Sequence, residues 1–232
     1  MPLILNIETA TDVCSVALAK NGTLLSLAES KESRTHARVI TLLIQQVMND
    51  TKHKFSDLDA IAVSKGPGSY TGLRIGVATA KGLCYALQKP LIAINTLKIM
   101  AANFIRNSIP STRDEIRNSN LVPLIDARRM EVYTAVFDEG LNTLMETKAE
   151  IINENSFAAF LNNHKTYFFG DGVPKCKTVL HNNKNAVFID EFTTSASGMI
   201  QFSKTEFANN KFEDIAYFEP FYLKEFVKGA TA

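Results

Sequence analysis

In this 232-residue chain, the residues best placed to do chemistry are Gly66-Pro67-Gly68-Ser69-Tyr70-Thr71-Gly72-Leu73-Arg74-Ile75-Gly76. A glycine-rich turn entering a helix presents free backbone N–H groups to an anion, so phosphate binding is the first chemistry to consider. The spacing fits neither phosphate pattern. A Gly-x-x-x-x-Gly-Lys-Ser/Thr loop needs a lysine that this segment lacks, and the dinucleotide pattern Gly-x-Gly-x-x-Gly places its glycines differently from Gly68 and Gly72. Ser69 is no nucleophile elbow, because Gly68-Ser69-Tyr70-Thr71-Gly72 is one residue too long for Gly-x-Ser-x-Gly. Glu8 and Asp12 could pair as acid and base, although carboxylates at a strand end and a turn are ordinarily solvated. His36, His53, His164 and His181 include no pair three or four residues apart, so no helix carries two imidazoles on one face for a metal. His36, at a helix start, reads as an exposed polar residue.

A structural role explains the same segment. Gly66-Pro67-Gly68 makes a tight strand-to-helix turn, and Ser69 or Thr71 can cap the helix. Gly72, Gly76, Ala80 and Cys84 then recur every four residues, which at ~3.6 residues per turn lines one face with small side chains. Two glycines inside a helix cost on the order of 1 kcal/mol each against alanine, so close packing must compensate. From these residues alone the groove faces either the chain's own sheet or another molecule.

The elements that must position these residues follow from pattern. Residues 3–7, 14–20 and 24–29 read as three consecutive strands, with Asn21-Gly22 as a hairpin signal. Residues 36–50 form a helix in which Val39, Ile40, Leu42, Leu43, Ile44, Val47 and Met48 exceed the single apolar stripe of a surface helix. A strand over 60–64, a helix to about residue 87, a strand over 91–95 and a helix capped by Thr96 complete a mixed α/β lobe over residues 1–106. Residues 107–120, with Pro110, read as a linker. A second, smaller lobe over 121–232 holds strands at 121–126, 131–137, 144–152 and 167–169, a short helix at 156–163, and a late helix at 197–209 that can pack back on the first lobe. The tail from Phe226 is expected to fray. The shared strands-then-helices order suggests an old duplication.

Composition narrows the function classes. Twenty-five basic and 24 acidic residues give a net charge of +1, which argues against a chain whose main task is gripping a nucleic-acid backbone. Arg113, Arg117, Arg128 and Arg129 could supply only a modest patch. The three cysteines, Cys14, Cys84 and Cys176, form no disulfide framework, and no apolar run approaches a membrane span, so a cytoplasmic protein is expected.

Ile7-Glu8-Thr9-Ala10-Thr11 together with the segment from Gly66 to Gly76 closely resembles the TsaB (YeaZ) family of bacterial threonylcarbamoyladenosine-biosynthesis accessory proteins, non-catalytic relatives of the glycoprotease-like family. Ile125-Asp126-Ala127-Arg128-Arg129, Glu131-Val132-Tyr133, Phe169-Gly170-Asp171-Gly172 and Pro220-Phe221-Tyr222-Leu223 extend the resemblance over nearly the whole chain.

The resemblance implies a two-lobed actin-like (ribonuclease H-like) α/β fold, with mixed sheets flanked by helices. It implies a scaffold or activator without catalysis of its own, bound to a catalytic threonylcarbamoyltransferase paralogue (TsaD-like) and joined by a small ATPase (TsaE-like). It implies homodimers when the chain is alone, and contact with tRNA through the complex. By position, the partner surface maps onto Val39, Leu43 and Val47 of one helix and Gly72, Gly76, Ala80 and Cys84 of the next. Actin-like ATPases hold phosphate with an Asp-x-Gly-Thr turn. Here Glu8-Thr9-Ala10-Thr11 lacks the aspartate and the glycine, and Asp126-Ala127-Arg128 lacks the glycine, so a Cβ stands where backbone should approach phosphate. No cofactor is expected for the isolated chain; ATP or ADP and a divalent metal belong to the partners. The rival class is a glycoprotease-like peptidase or an actin-like-fold kinase or ATPase.

Overall fold

The computed structural model describes residues 1–32, 35–107 and 116–224. Its first sheet holds β1 (Leu3–Glu8), β2 (Cys14–Lys20), β3 (Thr23–Ser30), β4 (Ala60–Gly66) and β5 (Leu91–Asn95) in the order β3-β2-β1-β4-β5. β1 pairs antiparallel with β2 and parallel with β4, Ile7 lying opposite both Val16 and Val63. β1 is buried along its whole length because the sheet is covered on both faces, so it reads as a continuous apolar run without alternation.

One face carries α1 (His36–Thr51) and α2 (Tyr70–Leu87). Ile40, Leu43, Ile44, Val47, Val77, Ala80 and Cys84 pack there against Leu5, Ile7 and Val16. The other face carries α3 (Thr96–Asn107), where Ile99 meets Ile4, Ala62 and Ile92. Each large aliphatic side chain taken fully out of water there contributes roughly 1.5–3 kcal/mol. The α3 cap differs from expectation: Asn95 Oδ1 accepts from the amides of Leu97 at 2.9 Å and Lys98 at 3.2 Å, and Thr96 lies buried inside the first turn.

The second sheet holds β6 (Asn120–Asp126), β7 (Glu131–Asp138), β8 (Thr143–Ile151), β9 (Thr166–Phe169) and β10 (Ala186–Ile189), with α4 (Ala158–Leu161) and α5 (Val173–Leu180) between them. Its order, β10-β9-β6-β7-β8, reproduces the first sheet strand for strand. β6–β7 is antiparallel where β1–β2 is, and β6–β9 parallel where β1–β4 is. This is the two-lobed actin-like arrangement that the resemblance implies. α5 and β10 were not foreseen. Both are short, and β10 is a half-buried edge strand without alternation.

α3 serves both sheets. Leu97, Met100, Ala101 and Phe104 leave its second side to meet Leu121, Tyr167 and Phe169, and the Phe104 and Phe169 rings stack 4.6 Å apart. α6 (Ile200–Ala208), entered through a 3-10 turn at Ala196–Met199, lies on the first sheet, where Ser203 Oγ donates to buried Asn6 Oδ1 at 2.7 Å. Most of the stretch read as a linker, including Pro110 and Arg113, lies outside the described residues, as does the tail from Phe226. Among the described residues, no helix is long and apolar enough to cross a membrane.

Candidate functional site

The two motifs separated most widely in the N-terminal half turn out to be one construction. The turn after β1 (residues 9–13) is gripped by the start of α2. Thr9 Oγ1 donates to the Gly72 carbonyl at 2.8 Å, and the Ser69 amide donates to the Ala10 carbonyl at 2.7 Å. Ser69 caps the helix, its Oγ accepting from the Gly72 amide at 3.2 Å. A Cβ on Gly68 would overlap the Ala10 carbonyl; on Gly72, the Thr9 carbonyl; on Gly76, Thr9 Oγ1. The glycines are therefore required by backbone approach within the chain, and that contact offsets their helix-propensity cost. His36, expected to be exposed, is buried instead and bonds the Thr11 carbonyl through Nε2 at 2.9 Å.

Glu8 and Asp12 are not an acid–base pair in this setting: Glu8 is completely buried and Asp12 is exposed. Glu8 Oε1 accepts the Ala10 amide at 2.6 Å, while Oε2 has no hydrogen-bond partner. Burial pushes the carboxyl up to about 7, against the opposing hydrogen bond from the Ala10 amide. Burial, with Glu8 nearby, also lifts the Cys14 thiol to about 11. The group is a buried carboxyl that keeps its proton to well above the ordinary carboxylate range, not a solvated carboxylate.

The equivalent turn of the second sheet (residues 127–130) is built differently. Asp126 Oδ1 accepts from the Arg128 amide at 2.6 Å, and Asp171 Oδ1 accepts from the Asp126 amide at 2.9 Å. Burial lifts the Asp171 carboxyl, against that hydrogen bond. Lys175 Nζ closes on Asp126 at 2.9 Å, and Lys224 pairs with Glu131. Arg128 and Arg129 both stand in the left-handed region, at φ 69° and 50°. For a residue with a Cβ this costs about 1–2 kcal/mol. In each turn, then, a backbone N–H that could face a phosphate is already engaged by one of the chain's own carboxyl groups, Ala10 by Glu8 and Arg128 by Asp126. Among the described residues, no three His, Cys, Asp or Glu side chains converge as metal ligands would.

The rest of the motif loop is fastened from the C-terminal end. Gly66 has φ 110°, and a Cβ there would overlap the Phe221 carbonyl, whose residue donates its amide to the Lys65 carbonyl at 2.7 Å. The Tyr70 and Tyr222 rings lie 4.8 Å apart, and the Arg74 guanidinium sits 4.3 Å above the Tyr70 ring. The Gly66-Pro67 peptide is cis, and Thr71 is exposed. Pro220-Phe221-Tyr222-Leu223 carries no local pattern that announces these contacts. The spacing of 148 residues between Arg74 and Tyr222 leaves no local signal for their hydrogen bond.

The expected partner-contact residues need correction. Leu43, Val47, Gly72, Gly76, Ala80 and Cys84 are buried in the chain's own core, and Val39 packs half-buried against it. The outward faces of the same helices carry other residues. Leu42 is 61% exposed and Tyr85 75% exposed. A second small-residue row, Ala78, Gly82 and Ala86, faces out, and a Cβ on Gly82 would meet nothing within 4 Å.

Residues 28–225 match the family model described as tRNA N6-adenosine threonylcarbamoyltransferase. The chain is 36% identical over 158 residues to the tRNA threonylcarbamoyladenosine biosynthesis protein TsaB of Escherichia coli strain K12, covering 65% of this chain and 64% of that protein. It is 33% identical over 142 residues to the protein of the same name from Buchnera aphidicola of Acyrthosiphon pisum, covering 61% of this chain and 60% of the relative. The chain thus spans about 60% of the length of the curated relatives it matches. In structure it is similar to a Pseudomonas aeruginosa protein described as uncharacterized with similarity to peptidase YEAZ. The TM-score is 0.83 at 23% identity, over 97% of this chain and 100% of that one. At that identity the likeness speaks for the fold.

Proposed function

We propose, on the premise that this chain belongs to the tRNA N6-adenosine threonylcarbamoyltransferase family and within it is most like the TsaB proteins, that it serves as an accessory subunit in forming threonylcarbamoyladenosine on tRNA in the cytoplasm. The observation that carries this reading is the state of the two strand-end turns. A family member that grips phosphate needs open backbone amides and room beside them. Here the Ala10 amide is taken by Glu8, the Arg128 amide by Asp126 and the Asp126 amide by Asp171, and α2 packs directly on Thr9. The chemistry is therefore assigned to a catalytic paralogue, with a small ATPase in the same assembly and nucleotide and metal held by those partners.

The outward faces of α1 and α2 are the surface proposed for that paralogue, or for a second copy when the chain is alone. Gly82 supports the assignment, because an exposed glycine in mid-helix costs about 1 kcal/mol that nothing inside the chain recovers. Leu42 on α1 and Tyr85 on α2 add exposed apolar area to these helices.

The deciding experiment measures threonylcarbamoyladenosine in digested tRNA by mass spectrometry, in a strain lacking this chain. Loss of the nucleoside, restored by the wild-type gene, is expected; unchanged levels overturn the proposal. Co-purification then tests the surface. Leu42→Glu and Gly82→Leu are expected to release the catalytic paralogue while leaving thermal stability within about 1 kcal/mol of the parent. Turnover of ATP by the purified chain alone would restore the enzyme reading.

A further inference from the structure

The tip of the β6–β7 turn carries two adjacent arginines in a backbone conformation that arginine disfavours. Non-glycine residues with positive φ are uncommon, and those that occur are enriched in Asn and Asp. Here the pair is Arg128 at φ 69° and Arg129 at φ 50°, both exposed. The surrounding network holds the strain in place. The Ala127 amide donates to the Glu131 carbonyl at 3.1 Å, and the Glu131 amide to the Arg128 carbonyl at 3.2 Å. The Arg128 amide is bonded to Asp126, and Lys175 Nζ reaches the Glu131 carbonyl at 2.9 Å.

The charges of this network are arranged in two layers. At its base, Asp126 is paired with Lys175 and Glu131 with Lys224, while Asp171 is engaged by the Asp126 amide. Asp126 and Glu131 are thus each met by a lysine, the Asp126 side chain remaining 42% exposed. The two guanidiniums project from the tip and make no ion pair with any described residue. Tyr133 stands half-buried on β7, and burial lifts its phenol above the ordinary value. Two exposed guanidiniums thus stand over a base of two lysines and three carboxyl groups, Asp126, Glu131 and Asp171.

We infer that the Arg128–Arg129 turn is a contact point for the phosphate backbone of the tRNA. This rests on the reading of the chain as an accessory subunit of tRNA threonylcarbamoylation and assigns that subunit a direct hold on the substrate. Arginine presents a planar fork of N–H donors suited to phosphate oxygens, and a two-residue tip on a hydrogen-bonded hairpin offers it with the backbone already placed, leaving only the side chains to order. Such a contact positions the nucleic acid without reading its sequence. The neutral balance of the rest of the surface limits the hold to a few phosphates, so affinity comes mainly from the assembled complex.

The test uses the purified complex of this chain with its catalytic partner and an unmodified tRNA transcript, with binding followed by fluorescence anisotropy across a salt series. The double variant R128G/R129G removes both charges and suits the left-handed backbone. It is expected to weaken binding about tenfold near 0.1 M salt and to lower the slope of log K against log salt by about 2, one unit per lost phosphate contact. Its Tm is expected to rise by about 5 °C as the strain is relieved, so the weakening cannot come from unfolding. R128K/R129K is expected to keep most of the slope. Parental affinity and slope in R128G/R129G would overturn the inference, as would a falling Tm, which would mark the arginines as structural. Loss of the partner from the R128G/R129G complex at unchanged tRNA slope would also overturn it, pointing to an acidic protein face. None of these outcomes touches the accessory-subunit reading, which fails separately if deletion of the chain leaves the modified nucleoside unchanged.

Discussion

The turn at residues 9–13 and the turn at residues 127–130 occupy equivalent places, each joining the first two strands of a sheet with the same strand order. They have been built to opposite ends. The first is interior: Thr9 and Ala10 are buried, and α2 lands on them through Gly68, Gly72 and Gly76. The second is outward, with Arg128 and Arg129 exposed and their backbone left-handed. The difference lies in what the following parallel strand delivers. β4 leads into a serine cap and three glycines, so the helix can touch the turn. β9 leads into Gly170-Asp171-Gly172, and the Asp171 carboxylate takes the Asp126 amide. One repeated frame thus carries a packed joint on one side and a charged tip on the other.

The most disruptive way to break this comparison is Gly72→Ala. Helix propensity alone predicts a gain of about 1 kcal/mol. Overlap with the Thr9 carbonyl predicts instead a loss of about 3 kcal/mol, the sign being readable from urea denaturation. A stabilised variant would mean that the first turn is not a joint.

Next in size is the pH response of the same turn. The Glu8 carboxyl titrates near 7 in the fold, above its ordinary value of 4.5, so folding favours its protonated form. That contribution is complete below about pH 4.5 and is lost as the pH rises through 7, a change on the order of 3 kcal/mol. Between pH 5 and 8 the parent should lose stability relative to Glu8→Gln, which carries no titrating group there. Parallel pH curves for the two proteins would remove the buried carboxyl from the account.

The smallest effect separates the two faces of α2. Gly82→Ala should raise the stability of the isolated chain by about 1 kcal/mol, opposite in sign to Gly72→Ala, because its Cβ enters open space. If the outward row is a docking surface, the same variant should weaken co-purification of the partner.

Much of this was legible in local pattern. β1–β2–β3, both long helices and their order follow from periodicity and from Asn21-Gly22, since those signals depend on near neighbours. The four-residue recurrence correctly placed Gly72, Gly76, Ala80 and Cys84 on one face of α2, and the missing glycines at Ala10 and Ala127 were plain. Other features depend on residues far apart in the chain. Periodicity defines a face without saying which way it points, so it does not distinguish the inward row from the outward row of Ala78, Gly82 and Ala86. Nor does local pattern reveal that Thr9 Oγ1 would meet Gly72 63 residues on, that Glu8 would lose all contact with water, or that Phe221 would close on Gly66. Residue type and spacing specify what each segment can become by itself. Orientation, burial and the shift of a carboxyl's pKa arise only when segments exclude water from one another, and that belongs to the assembled fold.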